Sequence, residues 1–207
     1  KDTIRTITPG YFVPESPPEK VTPLLTAPPM NQREKTKRSP HGVRFTLSGG
    51  YSHRLGKLAS GLKSSYKTGF VIGSDLAGFF NEYIGLGGFV NYRQYNDGSV
   101  SSVVAGPKIL SRFYNRTQNS AFILGVGLGY VSYQESVSSI KATGGTFGTT
   151  LEIGYEIGLS KGVALMINAS ATAGSLGTIK VNGDKYDLDK RESMSSLNLA
   201  VGLVFGR

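Results

Sequence analysis

From Val43 to the end of the chain, apolar residues recur at every second position through eight successive segments. No charged residue falls on the apolar side of any of them. A period of two is that of an extended strand, whose successive side chains point to opposite faces. The first segment sets Val43, Phe45, Leu47, Gly49 and Tyr51 against Arg44, Thr46, Ser48, Ser52 and Arg54. The fifth sets Phe122, Leu124, Val126, Leu128 and Tyr130 against Gly125, Gly127, Gly129 and Tyr133, and the last sets Leu197, Leu199, Val201, Leu203 and Phe205 against Ser196, Asn198, Gly202 and Gly206. The fourth, with Val103, Ala105, Pro107, Ile109 and Phe113 opposite Lys108 and Arg112, is the least regular.

The charges within these segments, Arg44, Asp75, Arg93, Lys108, Arg112, Glu152 and Glu156, all lie on the polar face. An Arg or Lys facing lipid at mid-bilayer costs about 2–4 kcal/mol, so a membrane-facing side has to be free of them. A soluble barrel or sandwich also alternates, but it turns its polar face to water, where Lys, Glu and Asp accumulate. Here the polar face is mostly Gly, Ser, Thr and Asn, which suits the crowded interior of a narrow barrel. The pattern predicts an all-β fold: an eight-stranded antiparallel transmembrane β-barrel over residues 43–207.

The connections carry the same message. Residues 81–83, 115–118 and 160–162 are short links, whereas 55–67, 96–100, 135–144 and 174–192 read as longer ones. Short and long links belong to opposite rims, periplasmic and extracellular, and an even number of strands puts both termini in the periplasm. Asn182-Gly183, between Thr178–Val181 and Asp184–Tyr186, is a type I′ hairpin signal, so a hairpin at 178–188 is expected to project from the extracellular rim.

Ahead of the barrel, residues 1–42 differ in kind. Eight of the nine prolines lie in the first 40 residues, whereas 26 of the 28 glycines follow Gly42. Such a stretch reads as a polyproline-like periplasmic arm. Its expected anchors for a partner are Tyr11, Phe12, Leu24 and Leu25, with a larger outer-membrane or periplasmic protein as the expected contact of residues 1–42; a free tether and packing on its own barrel are the alternatives. The start at Lys1 rather than Met fits a processed, mature form or a trimmed chain. Net charge is +9, divided as +3 in the arm and +6 in the remainder. No recognition helix, zinc spacing or aromatic ribonucleoprotein motif accompanies it, so an anionic membrane surface is the natural partner and nucleic acid is not. With no cysteine, disulfides and thiolate metal sites are excluded.

The glycine-aromatic segments Gly69–Phe80 and Ile84–Tyr95, together with the terminal strand, resemble the small OmpA/OmpX-type bacterial outer-membrane barrels. In that group a last strand of alternating apolar residues ending in an aromatic is read by the barrel-assembly machinery. Leu199, Val201, Leu203 and Phe205 match that assembly signal, although Gly206 and Arg207 follow the aromatic. The resemblance covers residues 43–207 and implies a fold and an address. It does not choose among the adhesins, lipid-modifying enzymes and structural anchors that share the fold.

Chemistry-bearing residues are few. Ser52-His53 lies where some barrels of this kind place a lipid-acting Ser and His. Neighbours on a strand point to opposite faces, however, and catalysis requires a nucleophile, a base and an orienting group to converge. His41 and His53 are the only histidines and are too few for a metal site. No catalytic residue, cofactor or metal is expected. The seven polar-face charges are expected to form a salt-bridged plug, since eight strands enclose only enough space for side chains and buried charges must be paired. Lys57, Lys63 and Lys67 form a basic first loop able to meet lipopolysaccharide phosphates at the outer-membrane surface, although three lysines are also common on a loop that is simply solvated. Gly85-Leu-Gly-Gly88 and Gly125-Val-Gly-Leu-Gly129 lack the following helix that a dinucleotide fingerprint needs.

These features together point to a non-enzymatic outer-membrane barrel, a structural or accessory subunit of an envelope assembly for import, secretion or barrel insertion. An adhesin or ligand-binding barrel that uses its extracellular loops is the second possibility, and a lipid-modifying enzyme the third.

Overall fold

A computed structural model describes residues 42–55, 67–95, 99–137 and 140–206. The strand segments in chain order are β1 (Gly42–Arg54), β2 (Thr68–Phe79), β3 (Ile84–Tyr95), β4 (Val100–Tyr114), β5 (Ser120–Val137), β6 (Ile140–Ser160), β7 (Val163–Val181), β8 (Asp184–Ser193) and β9 (Ser196–Phe205). All pairings are antiparallel, and the sheet closes on itself because β1 pairs β9, β9 pairs β7 and β7 pairs β6. The ring therefore has eight strands. β8 lies outside it, on the continuation of the edge that β7 presents to β9.

Following the register round the ring from Arg44 through Ala77, Gly87, Lys108, Gly127, Thr150, Thr172 and Ser196 returns the path to Arg54, ten residues farther along β1. With a rise near 3.3 Å per residue and strands near 4.8 Å apart, that stagger tilts the strands by about 40°. An interior of this width is filled by side chains.

Three strands run well beyond the roughly 9–11 residues a tilted strand needs to cross a bilayer: β5 has 18 residues, β6 has 21 and β7 has 19. The stretches 135–144 and 174–192, read from sequence as connections, are thus largely strand. Their composition of Ser, Gly, Thr and Lys hid this, but the backbone hydrogen bonds between paired neighbours do not depend on apolar side chains. Asn182 (φ 50°) and Gly183 (φ 103°) form the two-residue turn between β7 and β8, both left-handed as a type I′ turn requires. At the opposite rim, Asn81 Oδ1 accepts from the backbone N–H of Tyr83 and Ile84, both at 2.8 Å, and Gly162 (φ 83°) turns β6 into β7. Pro107 sits where the β4–β5 ladder is interrupted, between the pairs Ala105↔Tyr130 and Lys108↔Gly127, so its missing N–H costs no ladder bond there.

Candidate functional site

Alternation along the strands gives the molecule two surfaces, and both are functional candidates. The outer one is a continuous apolar belt: Leu86 is 49% exposed, Val126 51% and Leu199 62%. Leu165, also outward, is half-buried among its neighbours. Monomeric soluble proteins rarely expose apolar patches beyond a few hundred Å². Aromatic rings edge the belt. Toward the rim of the long connections (the loop rim) stand Tyr51, Phe70, Tyr92, Tyr130 and Phe147, with ring centroids 6.2 Å apart for Phe70–Tyr92 and 5.8 Å for Tyr130–Phe147. Toward the rim of the short turns (the turn rim) stand Phe45, Tyr83, Phe113, Phe122, Tyr155 and Phe205, with Phe45–Phe205 at 6.2 Å and Tyr83–Phe113 at 6.5 Å. Phe122 and Tyr130 are eight residues apart on β5, as are Phe147 and Tyr155 on β6. At a 40° tilt that separation is about 20 Å, comparable to the apolar band of a transmembrane barrel. Among the described residues no helix is long and apolar enough to cross a membrane. The strands do the crossing.

The inner surface holds the charges. Arg44, 0% exposed, reaches from β1 across the lumen: its Nη1 donates to Asp75 Oδ1 on β2 and its Nε donates to Glu156 Oε1 on β6 at 2.8 Å. Lys108 on β4 donates through Nζ to Glu152 Oε2 at 2.8 Å and lies 3.5 Å from Asp75 Oδ2. Asn168 on β7 donates to the other oxygen of Glu152 at 3.4 Å. Five strands thus contribute to one ionic layer. Toward the turn rim, Arg112 lays its guanidinium 3.9 Å from the Phe79 ring and 4.7 Å from Tyr114, next to the packed side chains of Ala77, Leu110, Ala121 and Ile123. Toward the loop rim, the Phe89 ring caps Lys108 at 5.8 Å. Gly127 leaves room for that ring, because a Cβ there would stand 2.6 Å from Phe89 Cε1.

Beyond Phe89 the lumen changes character. Ser52 Oγ lies 2.8 Å from Tyr95 Oη and donates to Asn198 Oδ1 at 2.7 Å. Arg93, 1% exposed, donates through Nη2 to Thr172 Oγ1 at 2.5 Å. Arg54 lies 5.1 Å from the Tyr133 ring, and Tyr133 donates its hydroxyl proton to Glu135. Among the described residues, neither Arg93 nor Arg54 has a carboxylate within ion-pair distance. Tyr95, Val100, Val104, Val131, Tyr133, Leu176 and Met194 close this end as an apolar plug.

Of the seven charges picked out by alternation, the structure joins Arg44, Asp75, Lys108, Glu152 and Glu156 in one network, while Arg93 bonds to Thr172 and Arg112 lies against the Phe79 and Tyr114 rings. Arg54 and Glu135 are buried lumen charges absent from that set. Glu135 falls in what read as a connection, and extending the inward positions 131 and 133 by one step would have found it. Ser52 points inward while His53 is half-buried on the outer face, so the two do not converge. No group of three metal-ligating side chains forms among the described residues. Leu199, Val201, Leu203 and Phe205 line the outer face of β9. Tyr11, Phe12, Leu24 and Leu25, along with His41, Lys57 and Lys63, lie outside the described residues.

No protein-family model matches the chain, and neither does any curated protein sequence. Solved structures do. Neisserial surface protein A matches with a TM-score of 0.56 at 12% identity, over 82% of this chain and 98% of that one. Outer membrane protein OprG from Pseudomonas aeruginosa matches with a TM-score of 0.55 at 12% identity, over 82% and 98%. The N-terminal β-barrel domain of Pseudomonas aeruginosa OprF matches with a TM-score of 0.50 at 14% identity, over 81% and 100%. At these identities the likeness concerns the fold, which is that of the small eight-stranded outer-membrane barrels.

Proposed function

We propose that this protein is a non-enzymatic barrel of the bacterial outer membrane that acts as a sealed anchor, a structural or accessory subunit of a larger envelope assembly. The observation that carries this reading is the filled lumen: an ionic layer with an apolar plug on either side leaves side chains where a pore would need water. β1 enters and β9 leaves at the turn rim, where Gly206 N–H donates to Gly162 O at 3.0 Å. In the outer membrane that rim is the periplasmic one, so the proline-rich residues 1–42 would extend toward periplasmic partners. Prolines fix backbone φ and lower the entropy lost when an extended chain docks, so Tyr11, Phe12, Leu24 and Leu25 can serve as a small set of anchors. The test is affinity purification from native membranes with and without residues 1–40. Deletion is expected to leave a folded, heat-modifiable barrel that no longer brings its partners. Unchanged partners in unchanged amounts would refute the subunit role, and a large steady conductance in planar bilayers would refute the seal.

A second reading has its own observation. β5, β6, β7 and β8 continue as a sheet past the loop-rim aromatics, with Lys180, Lys185, Asp187 and Glu192 on its β7–β8 hairpin. This projecting sheet suits a surface-binding role. Loss of cell-surface ligand binding on deleting residues 178–188, with the barrel intact, would favour it over the subunit role.

A further inference from the structure

The outer belt is not evenly convex. Across β5, β6, β7, β9 and β1 it is indented by an apolar groove of about 730 Å³. Its floor is Ala169 and Ala171, half-buried between taller neighbours such as Leu151, 55% exposed, and Leu199. The groove follows one line of register, Val126↔Leu151↔Ala171↔Leu197↔His53. Val126 lies four residues from both Phe122 and Tyr130, and Leu151 four from both Phe147 and Tyr155, so the line begins midway between the aromatic girdles. It ends at His53, beside the loop-rim girdle residue Tyr51. Four strand spacings give it a length of about 19 Å. Because the strands tilt by about 40°, it climbs about 12 Å, within the roughly 15 Å half-thickness of the hydrocarbon core. The groove is therefore confined to one leaflet.

At its upper end stands the one His, Lys, Arg, Asp or Glu that faces outward within the band among the described residues, His53. Its cross-strand partner is Thr68, and Lys67 immediately precedes Thr68. We propose that the groove holds one acyl chain of a phosphate-bearing lipid of the loop-side leaflet, with its phosphate against His53 and Lys67. The inference rests on the membrane-barrel reading given above. A second barrel is a poor occupant, because a convex belt cannot reach a floor of alanines set below leucine walls, whereas a single hydrocarbon chain can. Filling the groove also recovers dispersion contacts that the recessed Ala169 and Ala171 would otherwise lack.

The full chain in phosphatidylglycerol nanodiscs, doped with a phosphatidylglycerol whose acyl chain carries a diazirine, provides the test. After photolysis, labelling on residues 163–173 and 197–205 is expected to exceed that on the outward positions of β3 by several-fold. The double variant Ala169→Leu/Ala171→Leu fills the floor and is expected to bring labelling down to the β3 level. The variant His53→Ala/Lys67→Ala is expected to lower labelling by this probe while leaving that by an acyl-matched, uncharged diacylglycerol probe. Every variant is checked for the heat-dependent gel shift of a folded barrel. Even labelling round the barrel, labelling unmoved by the leucines, or barrel–barrel crosslinks through β7 would each overturn the lipid site while leaving the membrane reading intact. A protein that fails to insert and takes no label would overturn both.

Discussion

The two halves of the lumen treat buried cations differently. In the half toward the turn rim, Arg44 and Lys108 share three carboxylates, so each cation has two acids within ion-pair distance. In the half toward the loop rim, Arg93 is as buried as Arg44 but rests on the Thr172 hydroxyl, and Arg54 on the Tyr133 ring. Residue type does not distinguish them. The stagger does: it brings Glu156 of β6 and Asp75 of β2 to the height of Arg44. At the height of Arg93 it brings Thr172, Ser102 and Val71. A buried pair is costly to break from one side, whereas a buried ion with no counter-charge is already a burden that an apolar side chain relieves.

The sharpest way to break this contrast is to remove the same group from each half. Arg44→Met takes from Asp75 and Glu156 the cation they share and is expected to lower the unfolding free energy by about 3–5 kcal/mol, read by reversible denaturant unfolding in vesicles. Placing a cation on the other face of the same wall sets a scale: Leu199→Arg faces hydrocarbon and is expected to cost about 2–4 kcal/mol in the same assay, with impaired insertion. Unchanged stability for both variants would remove the inside–outside assignment altogether. The smallest effect is expected for Arg93→Met, within about 1 kcal/mol of the parent and on the stabilising side, since no ion pair among the described residues is lost. A cost equal to that of Arg44→Met would show that the halves are alike and that Arg93 has a counter-charge in the folded protein.

Much of this architecture was legible before any coordinates. The inward or outward sense of Arg44, Asp75, Leu86, Glu152 and Leu199 follows from a period of two, because neighbouring side chains on a strand have no third direction available. The turn at Asn182-Gly183 was legible because few residue pairs accept two left-handed conformations in succession. Other features were hidden. Phe89, Ile123 and Val104 are apolar yet inward, where alternation alone leads one to expect polar residues, and they supply part of the two plugs. Strand extension over residues 135–137 and 140–144 was masked by small polar side chains that pair as well as apolar ones.

The sequence by itself determined which face each side chain takes, since that depends only on neighbours along one strand, and eight such segments with a charge-free apolar face made a membrane barrel the expected fold. Which acid meets which cation, why Arg93 meets the Thr172 hydroxyl, and where Ala169 and Ala171 sink below Leu151 and Leu199 were decided by the ten-residue stagger of the closed ring. That stagger is a sum over eight pairings. It places residues far apart in sequence at one height, and no segment read alone contains it.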